Sequence, residues 1–364
     1  MISIAIFNNK GGVGKTTLTY HVAYALAELN HKTLLLDLDP QSNLTLYGIS
    51  PEDLHEIWSA EDQFIDDYQV ARNNLSEIDF ERLLKSHRSS HFLLKPTEDG
   101  TGELPQLSVP ISLHKNLDLI PGRLSLHMYE DKIASRWSDA FLGDPLAVRT
   151  ITKIRSLCRN YSDTRDYELV LIDTSPSLGI LNRVIISTAD GFVIPCMPDM
   201  FSLYGIRNIG RSIEKWKKEF DTMYSLLSDQ KRENFPRNFV RFLGFTIFNA
   251  RKYSGGPWDL AQAHYNYASQ VPKTITNYIP DQILGCLSPD QLSKPIGGTS
   301  VMHSHSTMPT MAQKYRQPIW KVPSTTLEQD DRGTILGNRA RFEETKQGYH
   351  KFAEDLLDRI RSLS

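Results

Sequence analysis

Residues 2–17 read Ile2-Ser3-Ile4-Ala5-Ile6-Phe7-Asn8-Asn9-Lys10-Gly11-Gly12-Val13-Gly14-Lys15-Thr16-Thr17. Ile2 to Phe7 is a largely apolar, β-branched run, as expected of a strand covered on both faces. It breaks into glycines, and from Thr16 onward Leu18, Val22, Ala25, Leu26 and Leu29 recur at helical spacing before a second apolar run, Thr33 to Leu38. Strand, crossover helix and strand of this length demand parallel pairing. A glycine loop opening straight into a helix lets backbone amides curl around phosphate oxygens, while the helix N-terminus adds its positive end. Gly11, Gly12, Val13, Gly14, Lys15, Thr16 and Thr17 are therefore the candidate phosphate-binding residues, with Lys15 reaching the terminal phosphates and the Thr16 hydroxyl on magnesium. The general pattern wants glycine where Asn9 stands, and it lacks the second lysine, Lys10.

Outward from this loop, the second run ends in Asp37-Leu38-Asp39-Pro40-Gln41-Ser42-Asn43. Period-two alternation points Asp37 and Asp39 to one side, at the carboxyl end of a strand beside the loop, where two carboxylates suit a magnesium ion and an attacking water. The blander reading is a solvated turn at Pro40. A further apolar run, Leu169 to Ile172, closes on Asp173, which matches the strand that supplies a magnesium-shell carboxylate in nucleotide-hydrolysing folds with such loops. Other buried strands read at 117–120, 191–195 and 242–248, with helical patterns at 146–158 and 204–220 between them. This alternation predicts a single α/β domain over 1–364, doubly wound, its mostly parallel sheet carrying helices on both faces. Two stretches break the rhythm and read as insertions: an acidic, partly helical one over 51–115 and a loop-rich one over 253–308.

Composition narrows the function further. The 364 residues are 23% charged and 40% hydrophobic, with a net charge of −2, so no polyanionic partner is obligatory. The charge is unevenly spread. The 51–115 stretch carries thirteen acidic and six basic residues, whereas 207–275 carries twelve basic and six acidic ones. Three cysteines without a CxxC pair argue against disulfide scaffolds, zinc ribbons and iron–sulfur ligation. His303 and His305 lack carboxylate or thiol company, so a polar loop is a better reading than a metal site. With no signal peptide and no apolar run long enough to span a bilayer, a cytoplasmic protein is expected.

Taken together, Lys10–Thr17 (KGGVGKTT), Asp37–Asn43 (DLDPQSN), Leu119–Gly122 (LIPG), Leu169–Gly179 (LVLIDTSPSLG) and Phe192–Leu203 (FVIPCMPDMFSL) resemble the ParA/MinD group of P-loop ATPases with a deviant Walker A box. The resemblance covers the first half of the chain tightly and the second half loosely. It implies ATP and Mg2+ as cofactors and a homodimer joined face to face by ATP, each Lys10 reaching the partner's phosphates. It further implies that Lys15 and Thr16 serve the nucleotide in cis, that Asp39 orients the attacking water, and that Asp37 and Asp173 hold the magnesium shell. Adenine contacts in this family come from a later strand and loop, which makes Asn249 the candidate there.

The same resemblance implies an output: ATP-bound dimers bind DNA nonspecifically or bind membrane until an adaptor protein stimulates hydrolysis. A membrane reader would carry a basic amphipathic tail, but the apolar stripe Tyr349, Phe352, Leu356, Leu357 and Ile360 shares its helix with Glu354, Asp355 and Asp358, so the stripe is expected to pack on the body and no membrane partner is expected. Nonspecific DNA needs spread-out cations, for which Arg207, Arg211, Lys215, Lys217 and Lys218, with Arg251 and Lys252, are candidates. Partition or positioning of a cargo such as a plasmid, a chromosome region or a carboxysome is thus the leading reading, and nucleoid association follows if DNA is bound. The alternatives are a MinD-like regulator docking on membrane or protein, and a metabolic ATP-dependent ligase of the dethiobiotin or cobyrinate kind.

Overall fold

The computed structural model describes residues 1–233, 235–299, 302–303 and 307–363, and the side chains of 302 and 303 are not described. Its centre is an eight-stranded sheet built from β1 (Ile2–Ile6), β2 (Thr33–Leu38), β3 (Ile111–His114), β4 (Leu117–Ile120), β5 (Leu169–Thr174), β6 (Gly191–Cys196), β7 (Arg241–Ala250) and β8 (Met302–His303), in the order β3-β4-β2-β5-β1-β6-β7-β8. All pairings are parallel except β3 with β4. The doubly wound, mostly parallel sheet read from the sequence is the one observed.

Strand alternation makes the two layers. Ala5, Phe7, Leu34, Leu36, Val170 and Ile172 face one hydrophobic cluster, whereas Ile4, Ile6, Leu35, Leu169 and Leu171 face the other. Each fully buried side chain of this size stabilises by roughly 1.5–3 kcal/mol over leaving it exposed. The second cluster is covered by α1 (Lys15–Glu28) and by the last long helix, and the first by the helices between β4 and β7.

The acidic stretch, read as partly helical, is mostly helix. The helix α2 (Pro51–Asp66) starts where the Ser50 side chain accepts from the Asp53 amide, with proline at its first position and Glu52 and Asp53 in its first turn. Phe64, Tyr68, Phe80 and Phe92 then meet in one aromatic group inside the first core cluster, and α3 (Ser90–Asp99) lies fully buried over most of its length. The stretch ends in edge strand β3, so it contributes a strand to the sheet as well as helices.

Two predicted helices are longer than their apolar spacing suggested. Asp144 and Pro145 start α4 (Pro145–Arg165), and the Asp199 carboxylate caps the Ser202 amide at the start of α5 (Met200–Leu226). Among its described residues the 253–308 stretch, read as loop-rich, holds four α-helices of four to eight residues and strand β8; prolines at helix starts, Pro272 and Pro289, divide it into short pieces. In α6 (Arg339–Arg361) Tyr349, Phe352, Leu356 and Ile360 are buried and Leu357 is half-buried, as the tail reading expected. Among the described residues no helix is long and apolar enough to cross a membrane.

Candidate active site

The loop between β1 and α1 sits where the carboxyl ends of β5, β1 and β6 come together. Asn8 staples it: its Nδ2 donates to the Pro195 carbonyl at 2.7 Å, and its Oδ1 accepts from the Lys10 amide at 3.0 Å. Gly14 turns the chain into the helix at φ 80°, and a Cβ there would lie 2.7 Å from the Phe248 ring. Both constraints require glycine.

Lys15 follows at once and is buried, with Nζ 3.3 Å from the Lys10 carbonyl. Burial lowers its pKa, and the charges of Asp173 and Asp39 oppose that shift. The register of β2 against β5 pairs Asp37 with Asp173, so the two carboxylates are neighbours across the ladder. Asp173 accepts from the Thr16 hydroxyl at 2.8 Å and from Thr19 at 3.3 Å; Asp37 accepts from the Thr45 amide at 2.9 Å and hydroxyl at 2.6 Å. Burial pushes Asp173 up to about 8, with the charges of Asp37 and Asp39 adding to the rise, and Asp37 up to about 7, with the charge of Asp39 adding to it and hydrogen bonds from Thr45 opposing it. Asp39, also raised by burial, accepts from the Gln41 amide at 3.0 Å.

A cavity of ≈ 370 Å³ opens on this group, lined by Gly11, Gly12, Gly14, Lys15, Thr16, Thr17 and Asp39 among others. Thr16, Asp37 and Asp173 are hard oxygen donors of the type magnesium takes, and two buried carboxylates whose charged forms are disfavoured fit a cation. Among the described residues no three His, Cys, Asp or Glu side chains are grouped closely enough to hold a metal by themselves. That suits an ion sharing its shell with phosphate and water.

The structure brings most sequence candidates together, with Asp37 and Asp173 fully buried behind the cavity lining and three others apart from the group. Val13 is fully buried and does not line the cavity. Lys10 points away from it and pairs with Asp199 at 2.6 Å, beside the Phe201 ring. Asn249 is exposed, at φ 57° in the irregular end of β7, and is not brought to the cavity; alternation gives that place to Phe248. Sequence reasoning missed Phe248, Tyr47 and Gln313 in the lining and Asp199 as the partner of Lys10. Asp199 lay inside a quoted motif, whereas nothing local marks Gln313.

The candidate DNA cations fare differently from one another. Lys217 pairs with Asp221 and Lys218 with Glu214 along their own helix, Arg207 lies over the Tyr278 ring, and Lys252 pairs with Glu344. Ion pairs at this spacing are the signature of a solvated helix face. Of the two histidines weighed for metal, His305 lies outside the described residues, as does the His303 side chain.

Comparison with known proteins places this site in a context. A family model described as an AAA domain, AAA_31, matches residues 1–226. The chromosome partitioning protein ParA of Myxococcus xanthus is 24% identical over 286 residues, covering 79% of this chain and 74% of that one. Two solved structures share the fold: an ATP complex of Cyanothece McdA (TM-score 0.56, 15% identity, 98% of this chain and 96% of that one) and pNOB8 ParA bound to nonspecific DNA (TM-score 0.53, 17% identity, 99% and 98%).

Proposed function

The chain belongs to the AAA_31 family, as a ParA-type P-loop ATPase, and from that premise we propose that it is an ATP-dependent dimerising switch that positions or partitions a cargo. The observation that carries the reading is the meeting of Lys15, Thr16 and Asp39 at one cavity, with Asp173 hydrogen-bonded to Thr16 behind the lining and Asp37 beside Asp173 across the ladder. Lys15 and the amides of Gly11 to Thr17 bind the phosphates, and Thr16, Asp37 and Asp173 hold Mg2+, which when bound neutralises charge on the phosphates. Asp39 at the cavity wall holds and orients the attacking water.

Lys10 is read as the cation a second copy receives, which requires it to leave Asp199 when the ATP dimer closes. Slow hydrolysis accelerated by an adaptor protein then releases the dimer. The named DNA complex of pNOB8 ParA supports nonspecific DNA as the track and the cytoplasmic nucleoid as the location. The whole 1–364 chain is read as one ATPase domain.

The deciding experiment is binding of the Asp39→Ala protein to random-sequence duplex DNA with ATP against ADP, at two salt concentrations, alongside its mass in solution. Salt-sensitive binding by an ATP-dependent dimer is expected. A dimer that ignores DNA removes the DNA track, and a persistent monomer overturns the switch.

A further inference from the structure

At the opposite end of the sheet lies a larger cleft of ≈ 770 Å³, bounded by Ile2 at the start of β1, Asp190 before β6 and Arg241 at the start of β7. Five cations line it: Arg155 and Arg159, one turn apart on α4, Lys217 on α5, and Arg237 and Arg241, four residues apart on the approach to β7. Among the described residues two carboxylates do so, and both are engaged. Asp190 accepts from the Ser3 amide and hydroxyl, each at 2.8 Å, and pairs with Arg155 at 2.9 Å; Asp221 pairs with Lys217 at 2.5 Å.

Three guanidiniums, of Arg159, Arg237 and Arg241, are therefore left without an ion pair among the described residues. Arg159 reaches the Glu233 carbonyl only at 3.5 Å, Arg241 donates to the Gln282 carbonyl, and Arg237 is exposed. Arg155, nine-tenths buried, keeps an Nε donor with no hydrogen-bond partner. Burial and the neighbouring Arg155 charge lower the Arg159 pKa, and the charges of Asp190 and Asp163 oppose them without reversing the shift. Guanidiniums present planar forks that match phosphate oxygens two at a time, and the cleft has the volume of a small-ligand site.

We propose that this cleft is an anion site that takes phosphate groups, separate from the nucleotide loop. Arg159 and Arg237 would grip one phosphate, from α4 and from the strand approach. The phosphates come either from a small polyphosphate ligand or from a nucleic-acid backbone, and both have the chemistry the cleft recognises. The site does not depend on the cargo-positioning reading.

The test uses the full chain carrying Lys15→Ala, which disables the nucleotide loop, titrated separately with inorganic tripolyphosphate and with short random-sequence duplex DNA. Salt-sensitive binding is expected, with one tripolyphosphate per chain if the source is a small ligand and with DNA alone if it is a backbone. Adding Arg159→Gln and Arg237→Gln should weaken either interaction at least about tenfold. Arg237→Glu alone, at an exposed position, should do the same in direction while leaving the melting temperature unchanged. Failure of the Lys15→Ala chain to bind either probe overturns the proposal, as does undiminished binding after the arginine substitutions.

Discussion

The two ends of the sheet carry opposite excesses of charge and handle them in opposite ways. At the carboxyl end three aspartates, Asp37, Asp39 and Asp173, gather around Lys15, all of them buried. Hydrogen bonds from Thr16, Thr19 and Thr45 satisfy the carboxylate oxygens, yet the protons are displaced: the acids rise and the lysine falls. At the amino end the five cations stand around an open cleft with their acidic neighbours already engaged. A desolvated cluster of mixed sign is completed only by a ligand that brings both signs, as a magnesium–phosphate pair does. An open basic cleft asks for an anion alone.

Lys15→Ala breaks the first half of this comparison most severely. It removes the buried ammonium of the phosphate loop, so ATP affinity should fall about a hundredfold or more, measured by titration with a fluorescent ATP analogue. Retained affinity would mean that the mixed-sign cluster does not bind phosphate. Lys10→Ala is milder, because Lys10 stands outside the cavity on Asp199. Nucleotide binding should persist while ATP-dependent dimerisation or turnover drops about tenfold, read from mass in solution and phosphate release; unchanged values in both would reduce Lys10 to a loop cation.

The pH dependence of stability sharpens the comparison. Asp37 and Asp173 have folded pKa values of about 7 and about 8, above the usual value of about 4. Between those limits the folded chain holds protons that the unfolded chain has released, so stability is present at low pH and is lost as pH rises through 7 and 8. The metal-free protein should melt a few degrees lower at about pH 9 than at about pH 6, to the extent that these groups dominate over the rest of the chain. Asp173→Asn should flatten that slope, and Mg2+ with nucleotide should reverse it by favouring the charged carboxylates. A slope that Asp173→Asn leaves intact would place the titrating groups elsewhere.

Much of the carboxyl end was legible in the sequence because its chemistry is local: the loop, the DLD strand end and the LIDT strand end each carry their meaning within a few residues. The pairing of Asp37 with Asp173 needed the strand order, which sets β2 beside β5 and which neither strand end reveals by itself. The rest depended on long-range packing. Phe248 and Gln313 reach the cavity from distant segments, and the resemblance that put Asn249 forward carries no information on the irregular strand end that leaves it exposed. The basic cleft was invisible for a similar reason. Its arginines come from three separate segments, while the run on α5 that drew notice by its sequence density proves largely ion-paired. Charge counts along a chain register density; only the fold shows which charges lack partners.

The smallest expected effect probes how far the order at the carboxyl end extends into the acidic stretch. Asp37 is held by Thr45; the Thr45 hydroxyl in turn accepts from the Gly122 amide at 2.7 Å, and the Gly122 carbonyl accepts from Trp58 Nε1 on α2 at 3.0 Å. Arg123 closes the arrangement by donating to the Trp58 carbonyl at 2.9 Å while lying over its ring. A Cβ on Gly122 would come within 2.9 Å of the Asp37 carboxyl carbon, so the 119–122 turn has almost no freedom to shift without moving that carboxylate. Trp58→Phe keeps the aromatic surface and removes a single donor, a loss of about 0.5–1.5 kcal/mol in a typical case. Turnover should therefore fall about two- to fivefold at unchanged ATP affinity, since the substitution loosens a carboxylate support without touching the phosphate loop. If turnover and its Mg2+ requirement are both unchanged, α2 acts on the fold alone. If the Mg2+ requirement rises while ATP affinity holds, the acidic helices are mechanically part of the site, and a partner docking on them has a physical route to Asp37.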